Sequence, residues 1–176
     1  MEPTEELKEH AEHAREPFDK RVAATMAIIA AALALVSVLG HIATTEELLL
    51  QQRASDQWAF YQAKSIRRYE SEIARDMFSS MSAANVAKLV EAYTGNVDRY
   101  HKESDEISKE ATNLESESHL RGHQALRLHI GEIFLEIALV FASLAILTKR
   151  PILYWTAVVS GLAGIITACT TALIHA

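Results

Sequence analysis

Two carboxylates, Glu132 and Glu136, sit four residues apart in IGEIFLEIALVF (130–141), a stretch otherwise almost wholly apolar. Four residues is little more than one helical turn, so on a helix both acids share a face. A charged acid within hydrocarbon costs about 2.5 kcal/mol or more, so such a group is paired, protonated or turned towards water. The chemistry open to the pair is hydrogen bonding between helices, proton or cation binding, or the lining of a cation pathway. Measured from Lys149 at about 1.5 Å per residue, Glu136 lies about 19 Å deep and Glu132 about 25 Å, the first close to mid-membrane. Ser37, His41 and Thr167 fall near the level of Glu132, and Ala34, Leu35, Ala163 and Gly164 near that of Glu136. No apolar stretch carries a Lys or Arg that could pair with either acid.

Other constellations carry less chemistry. His10 and His13 stand among Glu6, Glu9, Glu12 and Glu16 at a spacing that could hold a metal, yet the segment reads as a solvated acidic helix. His119, His123 and His129 recur along one helical side, where protonation could sense pH, and they read as an interfacial polar face. The sequence has no Gly-rich phosphate loop, Cys pair, H-E-x-x-H or G-x-S-x-G. No catalytic residue, metal site or cofactor is expected, and the chain reads as a non-enzyme. A net charge of −6 and the lack of a basic patch argue against nucleic acid as a partner. The single cysteine, Cys169, cannot form an internal disulfide.

The elements that position Glu132 and Glu136 follow from the segregation of charge. Val22 to Ala43 contains no Asp, Glu, Lys or Arg, Ile130 to Leu147 only the two glutamates, and Pro151 to Ala176 none. Each approaches the roughly 20 residues needed to cross a hydrocarbon core about 30 Å thick. The organisation expected is an acidic leader (1–21), transmembrane helix one (22–43), a long excursion (44–129), and transmembrane helices two (130–148) and three (151–173). The first span reads as an uncleaved signal anchor, because its leader is acidic and its apolar run is long. Lys20 and Arg21 abut span one, and Lys149 and Arg150 form the turn between spans two and three. The positive-inside rule makes that side cytoplasmic and places the excursion and the C-terminus outside.

The excursion has two glycines, Gly95 and Gly122, and no proline, which is a helical composition. Ile66, Tyr69, Ile73, Met77 and Met81 form an amphipathic stripe. Serines 79, 80 and 82 suggest an interruption, and Thr94-Gly95-Asn96 a turn. Val97, Tyr100, Ser104, Ile107, Ala111, Leu114 and Ser118 follow steps of three and four, a 3.5-residue seam. Its expected partner is the helix of residues 46–81, packed antiparallel. The fold class is an all-α integral membrane protein whose spans one and two are joined by a long, coiled-coil-like antiparallel hairpin.

DQWAFYQAKSIRRYESE (56–72) sets Trp58, Phe60 and Tyr61 beside Lys64, Arg67 and Arg68. The group reads either as an interaction surface for a ligand or anionic headgroup or as packing inside the hairpin. WAFYQAKSIR (58–67) resembles the W-A-[aromatic]-Y-Q-A-K-S-I segment of a bacterial membrane family, domain of unknown function 4337. The resemblance extends to the layout of leader, span, polar helical excursion and two spans. It implies a bacterial inner-membrane protein and brings no activity with it.

Small residues complete the sequence reading. Ala23, Ala27 and Ala31 make a small-xxx-small row on span one, with Ala30 and Ala34 as another, and Gly161 and Gly164 open a face of span three. Such faces let helices approach closely in lipid. The function expected is a structural or accessory homo-oligomer, alone or within a larger membrane complex, surrounded by membrane lipid. The alternative is a small cation or proton pathway using Glu132 and Glu136.

Overall fold

The computed structural model describes residues 17–81 and 86–173. Three α-helices occupy nearly all of them: α1 (Pro17–Ser79), α2 (Val86–Thr148) and α3 (Pro151–Cys169), followed by a 3-10 turn, Thr170–Leu173. Each helix is long and apolar enough to cross a membrane. The expected interruption near Ser79 is where α1 ends. The expected turn at Thr94-Gly95-Asn96 is absent, and α2 runs through it. Gly95 keeps a negative φ, and a helical glycine costs only about 1 kcal/mol relative to alanine, too little to break a long helix.

The described residues form two compact units, one within residues 45–121 and the other of residues 17–44 with 122–173. In the first, α1 and α2 pair antiparallel, as the descending contacts show. Glu46 meets Arg121, Ser118 donates to the Glu47 carbonyl, Lys64 meets Glu103, Arg68 meets His101 and Phe78 stacks on Tyr93. Every residue of the 97–118 seam is buried or half-buried, with Ser104, Ala111 and Ser118 the most enclosed. These small residues admit the facing helix closely, and the hydroxyls of Ser104 and Ser71 bond backbone carbonyls of their own helices. On α1 the facing residues include Ala54, Tyr61, Lys64, Arg68 and Ser71. The stripe Ile66, Tyr69, Ile73, Met77 and Met81 therefore points away from the pair, each residue at least half exposed.

In the second unit α1, α2 and α3 share a core of Ile29, Val36, Ala43, Ala125, Leu128, Leu135 and Ala138. A second cluster joins Val22, Ala142, Ala145 and Ala157. The buried positions of α2, from Ala125 through Gly131 to Ala145, keep steps of three and four. The crossing of α2 and α3 depends on glycine. A Cβ on Gly131 would stand 2.9 Å from the Gly164 carbonyl oxygen, and one on Gly164 would stand 2.8 Å from that of Gly131. Gly161 opens the same face to Ile29 and Ala138. With no side chain at either glycine, the two backbones meet directly.

The turn into α3 is short. Lys149 adopts φ 55°, Arg150 is extended, and Pro151 opens the helix. Proline disfavours a helical conformation in the residue before it and suits the first helical position. The Lys149 ammonium pairs with Asp19, tying the turn to the start of α1.

Candidate functional site

Several polar residues of α1 and α2 gather around one histidine. His129 Nδ1 lies 3.1 Å from Glu132 Oε2, and its Nε2 lies 3.1 Å from Thr44 Oγ1. The Ser37 hydroxyl lies beside the Glu132 carboxylate, and the His41 ring meets that of His129 edge-on at 6.3 Å. Glu132 is thus held by α2 through His129 and by α1 through Ser37. Gly40 makes room for this, since a Cβ there would stand 3.3 Å from the His129 ring.

Thr44 couples the network to the backbone, because its hydroxyl also reaches the Gly40 carbonyl at 3.0 Å. A hydroxyl carries one proton. When that proton goes to Gly40, Thr44 accepts from Nε2, and His129 is either a cation facing the Glu132 carboxylate or the neutral Nε2–H tautomer accepting from a protonated Glu132. When it goes to Nε2, His129 is the neutral Nδ1–H tautomer. In each arrangement Glu132 has His129 as its hydrogen-bond partner and Ser37 beside it, so it is satisfied within the chain. What the network does chemically is lock α1 to α2 through one shared proton.

The structure therefore brings together Glu132, Ser37 and His41, adds Thr44 and His129, and leaves two expected residues out. The Thr167 hydroxyl donates to the Ala163 carbonyl of its own helix at 2.8 Å. Glu136 is exposed and has no polar partner among the described residues. Of the small residues, Gly161 and Gly164 are buried within the chain, whereas Ala23, Ala27 and Ala31 are exposed on α1. Thr44 carried no signal of its own. His129 did, standing three residues before an acid on an apolar helix.

In the other unit, the aromatic and basic residues are turned largely to internal use. Lys64 Nζ lies 2.5 Å from Glu103, and over the rings of Phe60 and Tyr100 at 5.7 and 5.6 Å. The bond from Lys64 holds the Glu103 carboxyl below its usual range. Arg99 and Arg67 donate to the Tyr100 hydroxyl and lower its proton affinity. Trp58 and Tyr61 meet edge-on at 5.6 Å, and Trp58 borders a cavity of about 330 Å³ with Glu47, Glu115 and His119. Among the described residues no group of three or more His, Cys, Asp or Glu is arranged to hold a metal ion. His10 and His13 lie outside the described residues.

The sequence profile described as "Domain of unknown function (DUF4337)" matches residues 18–174, from the start of α1 through the final turn. The chain belongs to the DUF4337 family. No curated protein and no solved structure matches it. The match takes in both units of this DUF4337 chain, including Glu136, the His129 network and the WAFYQAKSIR segment.

Proposed function

We propose that this DUF4337 chain is a non-enzymatic, multi-pass bacterial inner-membrane protein acting as a homo-oligomeric scaffold or accessory subunit. The observation that carries the reading is Glu136, an acid on an apolar helix, exposed and unpartnered among the described residues. Its neighbour Glu132 is satisfied inside the chain, so the fold can enclose an acid and does not enclose this one. Left against lipid, it costs about 2.5 kcal/mol or more. A second copy removes that cost by supplying a hydrogen-bond acceptor or donor and excluding lipid.

Two further faces support assembly. The exposed alanines 23, 27 and 31 leave α1 able to approach another helix closely. In the polar unit, Ile66, Tyr69, Ile73 and Met77 are 52–69% exposed, which is the composition of an interface. In this reading the basic turn is cytoplasmic, and residues 44–129 and the C-terminus are extracytoplasmic.

A cation pathway rests on the same Glu136. It draws less from the site, because Glu132 is already occupied by His129 and Ser37. Glu136→Gln separates the two readings. In the scaffold reading the variant shifts the purified particle towards smaller species and leaves liposome cation flux at the protein-free level. Intact assembly with abolished flux would make the chain a channel.

A further inference from the structure

We propose that the unit of residues 17–44 and 122–173 holds one anionic phospholipid, its acyl chain in a groove between α2 and α3 and its phosphate against the basic turn. The groove has a volume of about 440 Å³ and runs along α3 past Ile152, Trp155, Val159 and Ala163, with Phe134 of α2 as its wall. From Ile152 to Ala163 a helix rises about 16 Å, which matches one leaflet, half of a hydrocarbon core about 30 Å thick. Two of the lining residues, Thr156 and Ser160, carry hydroxyls. Both are spoken for: Thr156 donates to the Leu153 carbonyl and Ser160 to that of Phe134, each at 2.8 Å. The lining therefore presents methyl and ring surface throughout, as a hydrocarbon tail requires.

Charge selects the headgroup. The groove begins two residues after Arg150, and Trp155, 63% exposed, stands at its mouth as an interfacial aromatic does. Lys20, Arg21, Lys149 and Arg150 face a single described acid at this end of the unit, Asp19, which Lys149 already pairs. Arg150 has no acidic partner among the described residues. A guanidinium matches a phosphate in geometry as well as charge. This face is distinct from that of Glu136: Phe134 and Glu136 are two residues apart, about 200° around α2. The lipid site therefore does not rest on the oligomer reading.

The test is native mass spectrometry of the full chain released from nanodiscs containing phosphatidylglycerol and phosphatidylcholine in equal parts. Wild type should retain one lipid per chain and prefer the anionic one. One basic residue at a membrane surface is worth about 1 kcal/mol, so Arg150→Gln should reduce that preference about fivefold. Val159→Trp, which fills the groove, should abolish retention, and Ala163→Leu, a smaller filling, should weaken it if the tryptophan variant fails to fold. An unchanged preference in Arg150→Gln overturns the proposal. So does an unchanged lipid count in the groove variants, and a groove variant that splits the particle at constant lipid count would assign the groove to a second copy.

Discussion

Gly164→Ala tests the packing that holds the spans together. The added Cβ would stand 2.8 Å from the Gly131 carbonyl oxygen, 2.9 Å from Leu135 Cγ and 3.2 Å from the Leu135 nitrogen. Two of these are backbone atoms, which cannot swing aside. Ordinary van der Waals contact begins near 3.4 Å, so α2 and α3 must part by roughly 0.6 Å. Leu135 and Ala138, both fully buried, then lose about a quarter to a half of their dispersion contact across the gap. Overpacking of this kind costs about 1–3 kcal/mol, and the better helix propensity of alanine offsets about 1. The net expectation is a loss of about 1 kcal/mol, or roughly 2–4 °C in Tm for a chain of this size. Thermal unfolding in nanodiscs, followed by circular dichroism, reads it. Gly95→Ala is the control: nothing lies within 4 Å of its added Cβ, and it should gain about 0.4–1 kcal/mol. If Gly164→Ala matched or exceeded wild type while Gly95→Ala gained, the glycine-mediated crossing would be refuted.

Three other substitutions probe separate parts of the account. Thr44→Val removes the hydroxyl that bridges His129 and Gly40 and should cost about 0.5–1 kcal/mol in the same assay; no change would mean that the network does not lock α1 to α2. Lys64 holds the Glu103 carboxyl below its ordinary value of 4.5, so the pair stabilises the fold above that pH and loses its contribution as pH falls through the lowered value. The stability gap between wild type and Glu103→Gln should therefore be present at neutral pH and close on acidification, and a gap independent of pH would contradict the pairing. Ile73→Asp lies on a face 69% exposed within one chain, so it should alter intrachain stability by about 0.5 kcal/mol or less. It should nonetheless reduce the particle mass, as measured by light scattering.

Much of the fold was legible because periodicity reports burial directly. The seam Val97 to Ser118 repeats at 3.5 residues, and its residues are the ones α2 turns towards α1. The three helices long and apolar enough to cross a membrane could be read from the absence of charge. Thr94-Gly95-Asn96 misled because a turn signal is local, whereas the helix there is held by Tyr93, stacked on Phe78, and by Val97. Ile66 to Met77 gave a true amphipathic stripe, but periodicity does not say which partner covers it. The aromatic and basic residues near Trp58 could serve a surface or a hairpin, and only the approach of Glu103 and Tyr100 to Lys64 decided it.

The polar network was half legible. Depth along the helices brought Ser37 and His41 to the level of Glu132, since rise per residue is fixed. The same ruler carries no rotation between helices, so it could not exclude Thr167, which is satisfied on its own helix. It could not find Thr44 either, whose role depends on the angle at which α1 passes His129. Glu136 has no polar partner in reach along the apolar stretches, nor among the described residues, and it points out of the chain.

The central claim is that a second copy faces Glu136. The mass of the particle in nanodiscs, measured by mass photometry over a range of protein-to-disc ratios, tests it most directly. The account predicts two or more chains of 19.5 kDa per disc, even when discs are in large excess. A single chain per disc under those conditions, with Glu136 left against lipid, would contradict it.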